Sequence, residues 1–215
     1  TTGAGINLKL GLIYKASDWF RLGAAFHTPT IYSLNDEWSS SITSEHNSGE
    51  VLTEKSPIGI FDYIVTTPYR FIGSAAIVLG NHGVINGDYE LVDYSTARIR
   101  EDNASSFSDF SVENQQIKAN FRLSQNIRIG TEWRLDPFRL RAGYRYQGNP
   151  LSNSFTADYS SSIYSVGWGI KKEEYYFDMA YALKFYTAES AIVKAQESYA
   201  SVNLKDHHIS FTIGF

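Results

Sequence analysis

Ile209-Ser210-Phe211-Thr212-Ile213-Gly214-Phe215 alternates apolar with small or polar residues, which puts Ile209, Phe211, Ile213 and Phe215 on one face of a strand. A strand of this kind needs an apolar partner on that side only. Apolar residues towards lipid and an aromatic at the interface are the pattern of a strand that crosses an outer membrane. The same alternation recurs along the chain, so the bilayer is the leading candidate for its solvent.

Working back from this strand, Tyr175, Phe177, Met179, Tyr181, Leu183 and Phe185 share a face opposite Tyr176, Asp178, Ala180, Ala182 and Lys184. Tyr164, Val166, Trp168 and Ile170 form the face before it, followed by the turn Lys171-Lys172-Glu173-Glu174. The clearest hairpin sets Ile127, Ile129, Thr131, Trp133 and Leu135 against Phe138, Leu140, Ala142, Tyr144 and Tyr146, with Asp136-Pro137 as its turn. Earlier strands carry Ile6 to Tyr14, Phe20 to Phe26 with the pattern continuing towards Tyr32, Leu34 and Trp38, Ile58 to Leu79, and Ile85 to Leu91. Thr28-Pro29 and Thr67-Pro68 interrupt two of them, and a kink or bulge is expected at each because proline cannot donate to a ladder. From Phe71 to Leu79 both faces are apolar, which leaves the lipid side open.

About nine strands result. Their connections at 15–18, 80–83, 136–137 and 171–174 are short, and those at 39–57, 101–122, 148–160 and 187–203 read as long polar loops. A short helix is expected over 112–121. Short turns on one side and long loops on the other match periplasmic turns and extracellular loops. A soluble sandwich also alternates, but its strands average ~5–6 residues, whereas a tilted membrane strand needs about ten, as here.

The composition agrees. The 215 residues suffice for one sizeable domain, and a net charge of -4 with no basic run gives no reason to expect nucleic-acid binding. There is no cysteine, which excludes disulfides and thiolate metal sites. Aromatics at 15% suit aromatic girdles. A mean hydropathy of -0.27 leaves no apolar stretch of membrane-helix length. The chain opens Thr1-Thr2-Gly3 with no export signal, from which an upstream part is expected.

The ordered series GINLKLGLIYKASDWFRLGAAFHTPT, TPYRFIGSAAIVLG, GDYELVDYS, NIRIGTEWRLDPFRLRAGYRYQG and ISFTIGF resembles the C-terminal part of the FadL-type outer-membrane transporters of long-chain fatty acids and, in relatives, aromatic hydrocarbons. The resemblance implies an all-β fold: an antiparallel transmembrane β-barrel of roughly fourteen strands, with about five of them and an N-terminal plug upstream of this chain. It makes residues 1–215 the C-terminal part of a single barrel, monomeric, in a bacterial outer membrane. It also implies that Phe215 serves as an assembly signal read by the barrel-assembly machinery. Its partners would be hydrophobic small molecules or fatty acids, and membrane lipid or detergent.

One polar constellation stands out. With Asp136-Pro137 as a two-residue turn, Glu132 falls opposite Arg141 and Arg128 opposite Arg145 on the lumen face. These residues, with Arg139, are either a structural network or a carboxylate-binding face. In the second reading Glu132 neutralises Arg141, and Arg128, Arg139 and Arg145 remain to attract an acidic head group. Phe20, Leu22, Phe138, Leu140, Tyr144, Phe177, Met179, Leu183, Phe211 and Ile213 are expected to face lipid, with Arg at Leu140 costing roughly 2–4 kcal/mol. His207 and His208 point to opposite faces and cannot share a metal. No catalytic set and no phosphate loop is discernible, so neither enzyme activity nor a metal or cofactor is expected. Passive uptake of hydrophobic compounds leads. A polar-solute porin, a non-transporting scaffold for secretion or attachment, and a soluble carbohydrate-binding sandwich are the alternatives.

Overall fold

Strands dominate the computed structural model, which describes residues 1–46, 49, 51–102, 109–152, 158–172, 174–193 and 198–215, with side chains described outside 189–200. In chain order they are β1 (Thr2–Ile6), β2 (Lys9–Lys15), β3 (Phe20–His27), β4 (Ile31–Trp38), β5 (Ser41–Glu45), β6 (Val51–Lys55), β7 (Gly59–Thr66), β8 (Arg70–Val78), β9 (Gly83–Asp93) and β10 (Arg98–Glu101). The helix α1 (Ser111–Asn120) follows, then β11 (Leu123–Leu135), β12 (Phe138–Gln147), β13 (Ser161–Lys171), β14 (Tyr176–Val193) and β15 (Ser198–Gly214).

Nine of these strands form one antiparallel sheet in the order β15-β14-β13-β12-β11-β9-β8-β3-β2. The remaining long segments stack above it as a four-stranded sheet, β1-β4-β7-β10. The two sheets share chains: β1 runs into β2, β3 into β4, β7 into β8 and β9 into β10. All four chains break at the same level. The Thr-Pro pairs are two of these breaks, as the sequence leads one to expect. Asn7-Leu8 and the 3₁₀ turn Tyr94–Thr96 are the others.

Threonine hydroxyls repair the ladder at this crease. Thr30 N–H donates to Thr67 Oγ1 at 2.9 Å, and Thr67 N–H donates to Thr30 O at 2.9 Å. Leu8 N–H donates to Thr28 Oγ1 at 2.9 Å, and Asn7 Nδ2 to Thr30 Oγ1 at 2.8 Å. The Thr67 and Thr28 hydroxyls take the place of carbonyls that the bent backbone no longer presents. The open edge of β10 is treated similarly. Asn114 of α1 accepts from Ile99 N–H at 2.9 Å and donates to Ile99 O at 2.8 Å, so its amide stands in for one residue of a further strand.

Several expected loops are shorter than the sequence suggests. Within 39–57, β5 and β6 pair as a two-stranded hairpin despite a polar composition, and the hydroxyls of Thr43 and Thr53 meet across it at 3.1 Å. Within 187–203, β14 and β15 continue past the membrane length and pair as far as Val193 and Ser198. In 148–160, Gly148 N–H still bonds Gln125 O. Residues 47, 48, 50, 103–108, 153–157, 173 and 194–197 of the expected loops and turns lie outside the described residues. The helix is found over 111–120, one residue from its expected place. Gly80, with φ of 57°, makes the left-handed step of the turn before β9.

The nine-stranded sheet has its apolar side outward. Ile129, Leu140, Val166, Met179, Phe211 and Ile213 are exposed, at 41–72%. Phe20, Tyr144, Phe177 and Leu183 lie on the same face and are half-buried, because their rings and branches pack on neighbours; Tyr144 and Tyr164 sit 5.1 Å apart. On β8 the ambiguity is resolved: Phe71, Gly73, Ala75 and Ile77 are the exposed side, and Ile72, Ser74, Ala76 and Val78 the covered one. Among the described residues other than glycine, deep burial is confined to the inner face of β9, β11 and β13, at Val92, Glu90, Ser124, Asn126 and Ser161. Such an arrangement puts apolar residues outside and buries polar ones, the reverse of a soluble domain.

Candidate inner-face site

The hairpin β11–β12 has the register its short turn dictates: Leu135 pairs with Phe138, Glu132 with Arg141, and Arg128 with Arg145. Neighbouring strands then add what the hairpin alone lacks. Asp178 of β14 reaches the same face as Arg141, and Glu90 of β9 the same face as Arg128.

Three polar groups result. Nearest the short turns, Arg139 and Arg134 line a recess of about 860 Å³ with Asp136, Lys171, Lys172 and Glu174. Above it, Glu132 accepts from Arg141 Nε at 2.9 Å and from Arg134 Nε at 3.0 Å, while Arg141 Nη1 donates to Asp178 at 2.6 Å. These four residues are alternately charged along a line, so each guanidinium has a carboxylate and each carboxylate a guanidinium. Glu132, Arg141 and Asp178 border a trough of about 620 Å³ floored by small residues, among them Gly130, Gly167, Ala180 and Ser210. Higher still, Glu90 is 4% exposed and accepts from Asn126 Nδ2 at 2.7 Å and Arg128 Nη2 at 3.1 Å. Asn126 Oδ1 in turn accepts from Gly148 N–H, which ties the group to the loop after β12.

The expectation that Glu132 leaves Arg128, Arg139 and Arg145 less compensated is corrected for Arg128 alone. Arg128 is held by Glu90. The reason is spatial: β9 and β11 are neighbours in the sheet although the segment 94–122 separates them in the chain. Arg141 is neutralised by Glu132 as expected, and by Asp178 as well. Arg139 sits at the mouth with three further cations. Arg145, beside the end rung of Tyr146, has no carboxylate within ion-pair distance among the described residues, and its Nε is shielded from solvent with no hydrogen-bond partner. In the register Arg145 pairs with Ile163, and Ile163 with Lys184. Arg145 and Lys184 are thus about 10 Å apart across one strand, within joint reach of one small anionic group. Lys184 pairs with Asp206 in the register without an ion-pair contact, and rests on the ring of Tyr186 at 4.4 Å, whose hydroxyl donates to Asp206 at 3.4 Å. Sequence reasoning missed Lys184, Glu90 and Asp178; their alternation is visible in the sequence, but their strand neighbours are not.

No group of metal-ligating residues occurs among the described residues, and no helix is long and apolar enough to cross a membrane, which says nothing of strands.

Against known proteins, no family model and no curated protein matches this chain. Solved structures do. A CymD monoaromatic hydrocarbon channel aligns over 96% of this chain and 50% of its own length, at 15% identity and a TM-score of 0.54. The Pseudomonas putida toluene transporter TodX aligns over 98% of this chain and 48% of its own, at 15% identity and a TM-score of 0.53. A Pseudomonas aeruginosa FadL homologue aligns at 11% identity with a TM-score of 0.43, too low to argue from. The chain shares the β-barrel fold of the first two and spans about half their length.

Proposed function

We propose that this chain is part of the wall of an outer-membrane channel through which hydrophobic compounds cross passively. The observation that carries this reading is the inverted sheet: nine antiparallel strands with exposed Ile, Leu, Val and Phe outside and Glu, Arg, Asp and Asn inside. Only a bilayer covers such an outer face without burying it in protein. The free edges of β2 and β15 need further strands to close the wall, in keeping with alignment to half of two longer hydrocarbon channels. The protein lies in a bacterial outer membrane and takes hydrophobic small molecules as solutes.

Within that reading Arg145, helped by Lys184, biases the lumen towards solutes with an acidic head and an apolar tail. A guanidinium in a partly dry site holds a carboxylate with charge-assisted hydrogen bonds. The test compares uptake of a long-chain fatty acid and its methyl ester by cells carrying the parent or Arg145→Ala. The parent should favour the acid, and the variant should lose that preference while still taking up the ester. Equal handling of acid and ester by the parent would assign these cations to structure and the channel to neutral hydrocarbons. Absence of uptake of either compound, with a protein partner co-purifying, would favour a scaffold instead.

A further inference from the structure

The outer face of β15 changes character along its length. Ile213, Phe211 and Ile209 are apolar and 58–72% exposed. The next three residues on the same face are His207, Lys205 and Asn203, all exposed. On the adjacent β14, Phe177, Met179, Tyr181, Leu183 and Phe185 continue apolar or aromatic, and the change comes at Thr187, whose hydroxyl bonds Asn203 at 3.1 Å. Lys205 pairs with Phe185, the last aromatic rung.

This places Lys205 at a definite depth. From Phe215 to Lys205 the strand climbs about ten residues of ~3.4 Å, and a tilt near 40° turns that into about 25 Å of height. That is the height of the apolar band. Aromatic girdles mark such boundaries, and the rung of Lys205 ends a row containing Tyr146 and Phe185, above a row containing Tyr144, Tyr164 and His207.

The two basic residues are also organised. Lys205 Nζ lies 5.4 Å from the Phe185 ring centre and has no carboxylate within ion-pair distance among the described residues. The Tyr181 hydroxyl meets His207 Nδ1 at 2.7 Å. With the hydroxyl donating, Nε2 carries the hydrogen and is a donor towards the bilayer. An ammonium and an imidazole donor, two positions apart on a lipid-facing strand, stand where lipid head groups begin.

We propose that Lys205 and His207 bind the phosphate of an outer-leaflet phospho-glycolipid. Aromatic rings of Phe185 and Tyr164 lie beside its acyl chains, and Asn203 and Thr187 beside its sugar. Lys205 supplies the charge and His207 fixes the head group one rung lower. The site is on the opposite face from Lys184 and Asp206, so it is independent of the lumen cations.

The experiment uses the natural full-length protein in detergent, titrated with lipid A bearing its phosphates, with dephosphorylated lipid A, and with inorganic phosphate. The parent should bind the phosphorylated lipid about fivefold or more tighter than the dephosphorylated form, the factor expected of one basic residue near a charged lipid surface. Lys205→Gln/His207→Gln should abolish that preference and leave binding of the dephosphorylated lipid unchanged, while Lys205→Arg keeps it. Heat-modifiable gel mobility verifies that each variant is folded, and Lys205→Gln alone gives a milder second test. Equal binding of the two lipids by the parent, or an unchanged preference in the double variant, would overturn the proposal. So would inorganic phosphate competing at concentrations close to those of the lipid.

Discussion

At the scale of the residue, carboxylates decide what each arginine is free to do. Arg128 and Arg145 face one another across β11 and β12, yet their surroundings differ: the first is spent on Glu90 and the second has no acid beside it. Removing Arg128 leaves Glu90, at 4% exposure, with Asn126 as its remaining side-chain hydrogen-bond donor and no paired cation. Arg128→Ala should therefore destabilise the folded protein by about 2 kcal/mol, an uncompensated buried carboxylate being the cause. Arg145→Ala breaks no ion pair and should leave stability within ~0.5 kcal/mol of the parent. Urea unfolding in detergent or lipid vesicles measures both. The reverse order would mean that Arg145 is the structural cation. The sequence shows an arginine-rich hairpin in correct register, because its turn sets the pairing. It does not show Glu90 or Asp178, because the strands that carry them are placed by the whole sheet and not by a local turn.

At the scale of the element, the crease is the feature that sequence reading only half anticipates. Proline explains why β3–β4 and β7–β8 cannot run straight, since Pro29 and Pro68 have no N–H to donate. It does not explain why the break is tolerated. That depends on Thr30 and Thr67 exchanging a backbone-to-hydroxyl and a backbone-to-carbonyl bond, three residues intervening on each chain so that the register is preserved on both sides. Thr67→Val keeps the shape and removes the acceptor, leaving Thr30 N–H unpaired at a partly buried site. It should cost about 1–2 kcal/mol, whereas Thr67→Ser should restore most of the loss; the same unfolding measurement separates them. Hydroxyl pairing also occurs in the hairpin β5–β6, which polar composition disguises as loop. Strand length was the other blind spot. Alternation marks where β14 and β15 cross lipid, but beyond that length the sequence loses its period-two signal while the ladder continues.

At the scale of the whole molecule, the two faces of the sheet define where the bilayer lies, and depth then ranks substitutions that look alike in sequence. The outer rungs run from Leu135, Phe138, Ile170, Phe177 and Ile213 at the short-turn end to Ile127, Tyr146, Ser162, Phe185 and Lys205 at the other. Midway is the rung of Thr131, Ala142, Val166, Tyr181 and Ile209, and Val166 is 58% exposed there. Leu140, which alternation alone suggests as a mid-strand site, is one rung nearer the short turns. An arginine at the midplane must carry its charge furthest from either interface, whereas one near an end can extend its stem to water. Val166→Arg should therefore cost most, about 2–4 kcal/mol, Leu140→Arg less, and Ile170→Arg about 0–1 kcal/mol. The measurement is reversible unfolding of each variant of the full-length protein in vesicles of one thickness. A soluble core or a protein interface over this face would make all three equally severe, because a packed interior has no depth axis along the strand. A graded response centred on Val166 requires a slab of lipid of the thickness the rungs define.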